Sequence, residues 1–218
     1  MKRHIEAMKK SGISLAIFAL ISVLLVATTN SLTKPKILEN QARMLLQALN
    51  EVLPASHYDN DLAASKIVLS PQKTGFTKET PVYLARKQGK PIAAIFEVTT
   101  LKGYSGAITL LIGIHSNSHT ISGVRVVKHK ETPGLGDKME TQKSDWVLSF
   151  NQKSLDNPDL SGWKVKKDGG DFDQFTGATI TPRAIVNAVR STLLFAQNNM
   201  QSLFQAHDFS PTPSGNRP

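Results

Sequence analysis

From Gly12 to Ala27 the chain is uncharged and dominated by Ile, Leu, Val, Ala and Phe. Extended through Thr28 and Thr29, the stretch reaches the lower end of the roughly 17–25 residues that a membrane-spanning helix needs, which predicts an anchor over residues 12–29. A cleaved signal peptide would need a small-x-small site, and Ala27-Thr28-Thr29-Asn30 supplies a poor one. A second helical pattern runs from Pro35 to Leu53, with Ile37, Leu38, Ala42, Leu45, Leu46, Leu49 and Val52 on one broad face, and Pro54 ends it. Apolar positions at that spacing are normally core.

The periodicity then changes. After a polar, turn-rich passage from His57 to Lys78, interrupted by the short apolar run Ile67-Val68-Leu69, four β-type segments follow: Val82 to Lys87, Ile92 to Thr100, Ala107 to His115 and Ile121 to His129. Their connections are too short for a parallel crossover, so the pattern predicts an antiparallel meander whose strand order is left open. Lys138 to Phe150 reads as mixed helix with Trp146, Val147, Leu148 and Phe150 in the core, and Trp163-Lys164-Val165-Lys166 as a further strand. Helical spacing returns at Ala184, Ile185, Ala188, Val189, Thr192, Leu193 and Ala196, predicting a long helix from Pro182 to about Phe204. The tail, residues 207–218, has the Pro/Ser/Gly composition of a disordered end. The expected class is α+β: one N-terminal transmembrane helix, then a single soluble domain over residues 30–206 with a mainly antiparallel sheet and packing helices. A chain of 218 residues suffices for one such core.

Charge and composition narrow the picture. Lys2, Arg3, Lys9 and Lys10 stand against Glu6 alone in residues 1–11, so the positive-inside rule keeps this tail cytoplasmic and places the main domain outside the membrane. The rest of the net charge of +9 forms no basic block or aromatic-interleaved stripe, which argues against nucleic acid and suits a domain beside a lipid bilayer. There are no cysteines, so disulfides, iron–sulfur clusters and zinc–thiolate sites are excluded, and redox chemistry would need an organic cofactor.

The richest stretch is Thr176-Gly177-Ala178-Thr179-Ile180-Thr181, preceded by Asp173 and followed by Pro182. Thr181 reads as an N-cap and Pro182 as the first helical residue. Helix N-termini offer unpaired N–H groups and partial positive charge, so a phosphate would be well received, with Arg183 adding a charge-assisted bond. A capped helix start needs no ligand, however. Likewise Glu131-Thr132-Pro133-Gly134-Leu135-Gly136 is a tight turn by its Pro-Gly pair, and Gly103-Tyr104-Ser105-Gly106 a hairpin turn in which Tyr104 packs on core or cofactor. Asp168, Asp171 and Asp173 invite a calcium loop but lack the next ligand, where Phe175 stands. His115 and His119 flank a hairpin tip, and no metal site is expected from them. No dinucleotide fingerprint or hydrolytic triad stands out.

Asp173-x-x-Thr176-Gly177-Ala178-Thr179, together with the Gly-Tyr-x-Gly and Glu-Thr-Pro-Gly-Leu-Gly segments in the same order, resembles the FMN-binding domain family. With the anchor, the chain is similar to the G subunits of Rnf-type (Rsx) ion-translocating electron transport complexes. The resemblance implies FMN joined through its phosphate to the hydroxyl of Thr179. It makes Thr176, Gly177, Ala178 and Thr181 supporting groups, and Asp173 a residue that helps the attaching flavin transferase or fixes the loop. It places Glu131, Thr132, Gly134, Leu135 and Gly136 near the flavin ring, with Tyr104 as a further candidate. It also implies a single-pass protein of the bacterial inner membrane with a periplasmic domain. There it would carry electrons among the other subunits of a complex coupling NADH/ferredoxin-type electron transfer to ion translocation, without catalysing turnover alone. Two alternatives remain: the C subunit of a sodium-pumping NADH:quinone reductase, usually longer and with serine in place of Thr176, and a flavin-free, membrane-tethered scaffold module.

Overall fold

A computed structural model describes residues 2–205; Met1 and residues 206–218, including the tail expected to be disordered, lie outside the described residues. The chain divides into two compact units, Met1–Leu45 and Leu46–Pro218. Its elements in order are α1 (Lys2–Val52), β1 (Lys66–Leu69), α2 (Pro71–Thr74), β2 (Thr80–Lys87), β3 (Lys90–Gly103), β4 (Gly106–His115), β5 (Ile121–Lys128) and α3 (Ile180–Gln205), with 3-10 turns between.

The described residues of the first unit are helical, and the anchor and the helix expected from Pro35 are one element. α1 has 51 residues, about 75 Å at 1.5 Å per residue, and carries Pro35 in its interior rather than at its start. Its threonine hydroxyls are satisfied within the helix: Thr28, Thr29 and Thr33 donate to the carbonyls of Leu24, Leu25 and Thr29 at 2.7–2.8 Å. Pro35 is exposed and lies beyond the apolar stretch, where water can take the carbonyl its missing N–H leaves free. The backbone therefore has no break at residue 29 or 30. Among the described residues, α1 is the one helix long and apolar enough to cross a membrane. Its residues Ile37 and Leu38, expected in a core, are exposed, and burial begins in earnest at Leu49.

The second unit begins at Leu46 and is built on a five-stranded antiparallel meander, order β1-β2-β3-β4-β5. The four predicted strand segments and the Ile67–Leu69 run are all present. β3 and β4 read as near-continuous apolar runs because both faces are covered. One row, including Leu84, Ala94, Phe96, Val98, Leu110 and Ile112, joins the core with the α3 stripe Ile185, Val189, Leu193, Ala196 and Met200. The opposite row includes Tyr83, Ala93, Ile95 and Leu111, all buried. The register pairs Val82 with Phe96, Phe96 with Ile112, and Ile112 with Val124, so the core-facing side chains align across four strands.

Beyond β5, an aromatic cluster takes the place of regular structure. Phe150 stacks on Phe172 at 4.7 Å, Trp163 lies 4.9 Å from Phe172, and Trp146 meets Phe175 edge-on at 4.9 Å. Trp163 to Lys166 is not a strand: Val165 makes a single bridge to Phe172 and the chain turns at once into a 3-10 helix. Val147 and Phe150 are buried as expected, while Trp146 and Leu148 are half-buried.

Where α1 ends, the sheet has a slot for it. Gly113 and Gly123 are register partners on β4 and β5, and a Cβ on Gly123 would lie 2.8 Å from the Val52 carbonyl oxygen and 3.0 Å from its Cα. Gly123→Ala should therefore lower stability by about 1–3 kcal/mol, the cost of overpacking a close contact. Thermal unfolding followed by circular dichroism checks this, and an unchanged midpoint would show that Val52 is not seated there.

Candidate functional site

The three motifs meet on one buried carboxylate. Glu131 is only 5% exposed, and both of its oxygens are engaged. Oε1 accepts the backbone N–H of Ser105 at 2.9 Å, and Oε2 accepts the hydroxyl of Thr181 at 2.6 Å. Two glycines leave room for it: a Cβ on Gly103 would lie 2.8 Å from Oε1, and one on Gly136 would lie 2.7 Å from the Glu131 Cβ. The Glu131 N–H itself donates to His129 Nδ1 at 3.0 Å, so that ring's proton is on Nε2, which donates to Glu140. The hairpin tip, the loop and the helix start, far apart in sequence, are thus tied at one point. Glu131 faces inward; it is the tie that holds the loop.

The loop's outer side is different. Leu135 and Gly136 donate their N–H groups to the Thr132 carbonyl, closing the turn, and Gly134 adopts φ +79° at its exposed tip. Thr132 is exposed, as is Leu135, whose Cδ2 reaches to 3.4 Å from where a Gly177 Cβ would be. Tyr104 is 71% exposed, which removes the core reading for it.

The helix begins earlier than the sequence suggests, and this changes the role of each threonine. α3 starts at Ile180, and Arg183 N–H donates to the Thr179 carbonyl at 3.3 Å. A residue outside the helix whose carbonyl takes the first intrahelical bond is the N-cap, so Thr179 holds that position. Thr181 is instead fully buried in the first turn and bonded to Glu131. Pro182 then falls at the third helical position, where an N-cap hydroxyl commonly finds its N–H, and proline has none. Among the described residues, the Thr179 hydroxyl makes no hydrogen bond. The structure thus places an unbonded hydroxyl at the positive end of a 26-residue helix, with the N–H groups of Ile180 and Thr181 unclaimed by the helix.

The approach to Thr179 is held by the aromatic cluster. Phe175 is buried against Trp146, and Trp146 Nε1 donates to the Asp173 carbonyl at 2.8 Å. The Asp173 carboxylate is exposed and pairs with Lys166 at 2.6 Å. Thr176 and Gly177 are exposed, Gly177 at φ +82°, and Ala178 bonds back to the Phe175 carbonyl at 3.1 Å. Arg183, expected to face a phosphate, donates to Asp168 through Nε and Nη2 at 2.6 and 2.8 Å. Those hydrogen bonds hold the Asp168 carboxyl below its ordinary range and raise Arg183. Nothing in the sequence marked Glu131 as the common partner of Ser105 and Thr181, since those contacts span 26 and 50 residues.

Removing either end of the buried tie should cost stability. Thr181→Val leaves a buried carboxylate oxygen without its donor, for about 1–3 kcal/mol. Glu131→Ala should cost more, because it strands two donors and opens a cavity. A double-mutant cycle read by denaturant unfolding should give a coupling of about 1 kcal/mol or more; strictly additive effects would mean that the bond does not hold the helix start.

Two family models and a set of curated relatives match this chain. The FMN-binding domain model matches residues 103–194, which span all three motifs, and the RnfG N-terminal region model matches residues 1–52, the span of α1. The chain is 47% identical over 201 residues to the G subunit of the ion-translocating oxidoreductase complex of Escherichia coli (strain K12), covering 92% of this chain and 97% of that protein. It is 48% identical over 193 residues to the corresponding G subunit of Photorhabdus laumondii, covering 88% and 92%, and 45% identical over 199 residues to that of Vibrio atlanticus, covering 91% and 95%. Among solved structures, the Shewanella oneidensis NqrC crystal structure matches with a TM-score of 0.45 and 24% identity over 68% of this chain and 74% of that one. The chain belongs to the family of G subunits of ion-translocating oxidoreductase complexes, with an FMN-binding domain after its N-terminal helix.

Proposed function

We propose that this protein is a membrane-anchored electron carrier that holds FMN through a phosphoester to the hydroxyl of Thr179. The observation that carries the reading is the unbonded N-cap hydroxyl at the start of α3, inside the segment matched by the FMN-binding domain model. The residues present fit such a group. An ester at Thr179 puts an anionic phosphate beside the N–H groups of Ile180 and Thr181, where the helix dipole favours negative charge. Ile180, Leu135 and Tyr104 are exposed apolar surfaces close in sequence or in space to the attachment loops, and they suit the face of a planar ring. Glu131 acts from behind: by fixing Ser105 and Thr181 it sets the position of the loop relative to the helix start.

When bound, FMN supplies reversible electron acceptance, and the protein supplies orientation and environment. A covalent bond suits a carrier outside the cell membrane, because even nanomolar binding leaves a finite escape rate and free FMN is scarce there. With α1 crossing the inner membrane and its basic N-terminus inside, the second unit lies in the periplasm and meets the other subunits of an ion-translocating oxidoreductase complex. The names of its relatives support that assembly. A flavin transferase would attach the group, for which exposed Thr176, Gly177 and Asp173 offer an accessible segment.

Protein made in a host with flavin transferase should carry the mass of FMN less one water, and tandem mass spectrometry should place it on Thr179. Thr179→Val should give a folded, colourless protein with no in-gel flavin fluorescence. Flavin fluorescence persisting on the denatured variant, or an unmodified wild-type peptide, would overturn the assignment and favour a flavin-free scaffold.

A further inference from the structure

The described part of the second unit contains a cavity of about 370 Å³ that the FMN reading does not use. Its walls come from two elements. Lys164, Val165 and Asp168 belong to the turn before the aromatic loop, and Arg183, Val186, Asn187 and Arg190 occupy one face of α3 at helical spacing. Thr179 is not among the residues lining it.

The charges inside do not balance. Asp168 is the one acid of the lining and is already taken by both forks of Arg183. Among the described residues neither Lys164 nor Arg190 forms a close ion pair, and Lys164 feels Asp168 only at longer range, as one of three cations around that single carboxylate. The Arg190 Nε is buried without any hydrogen bond. Arg190 lines the cavity as a residue although this nitrogen itself is covered, so its cationic guanidinium is held at the cavity wall without a carboxylate to balance it. The volume is about that of a dozen water molecules at roughly 30 Å³ each, room for a tetrahedral anion and the atoms attached to it. Lysine from one wall and an arginine fork from the other converge on a single space. An anion with oxygens pointing in several directions satisfies both, which a phosphate does better than a planar carboxylate.

We propose that this cavity is a second anion site, one that takes a phosphate group on Lys164, Arg190 and the Asn187 amide. The group comes either from a phosphodiester lipid headgroup or from dissolved phosphate. Asp168 is bound by Arg183, so the single acid of the lining leaves a net positive charge on Lys164 and Arg190.

The site is tested with the full chain in a neutral detergent, made without flavin transferase so that the result does not depend on FMN. Inorganic phosphate titrated at constant ionic strength should give a saturable calorimetric isotherm. Arg190→Gln should weaken binding about ten-fold or more, as expected for loss of a charge-assisted hydrogen bond. Lys164→Gln, on the other wall, should weaken it several-fold, and Lys78→Gln, on the exposed surface elsewhere, should leave it within about two-fold. The source is distinguished in nanodiscs by the Arg190 Nε–H resonance. A shift in phosphatidylglycerol relative to phosphatidylcholine discs before any phosphate is added identifies the lipid headgroup; a shift only on adding phosphate identifies the dissolved anion. No saturable isotherm, wild-type affinity in both Arg190→Gln and Lys164→Gln, or a resonance that never moves would overturn the proposal.

Discussion

A carboxylate taken out of water has to find its hydrogen-bond donors inside the protein, and at Glu131 that requirement organises the whole site. Its two oxygens need Ser105 N–H and the Thr181 hydroxyl at the same time. The hairpin tip, the 131–136 loop and the first turn of α3 can therefore coexist in only one arrangement. The glycines at 103 and 136 read differently in this light. Each is a place where a side chain would collide with Glu131, and the loop's exposed tip, with Leu135 near Gly177, follows from the buried contact beneath it.

The second constraint is the helix start. An ordinary N-cap threonine spends its hydroxyl on the backbone of the first turn. Here Pro182 has no N–H to offer, the Thr181 hydroxyl goes to Glu131, and among the described residues the Thr179 hydroxyl makes no hydrogen bond. The segment leading to it has little regular structure, yet it is held firmly. Phe172 and Phe175 are buried in an aromatic cluster with Phe150, Trp146 and Trp163, and Trp146 also binds the Asp173 carbonyl. Packing supplies here the rigidity that a strand ladder supplies elsewhere.

The same helix borders two features along its length. Its first residues follow the Thr176–Thr179 loop, while Arg183, Asn187 and Arg190, on one face further along, line a cavity with Lys164. α3 can do this because its remaining stripe, Ile185, Val189, Leu193 and Ala196, is fully committed to the sheet. At its far end Arg86 from β2 donates to the Phe204 carbonyl at 2.9 Å and stacks over the Phe204 ring, closing the last turn against the meander.

Periodicity and turn chemistry alone determined the meander, the long closing helix and the apolar anchor, because these depend on contacts close in sequence: alternation along β2 to β5, connections too short for crossovers, and the stripe after Pro182. The three ordered motifs likewise pointed to the family. Tertiary structure decided the rest. Pro35 was legible as a helix start and proved to be helix interior, since a proline signal says only that one N–H is missing. The cap moved from Thr181 to Thr179 because a carboxylate 50 residues away claims the Thr181 hydroxyl. Trp163 to Lys166 lost its strand to aromatic packing. The partnership of Glu131 and the meeting of Lys164 with Arg190 at one cavity are long-range facts, visible only when segments apart in sequence share a space.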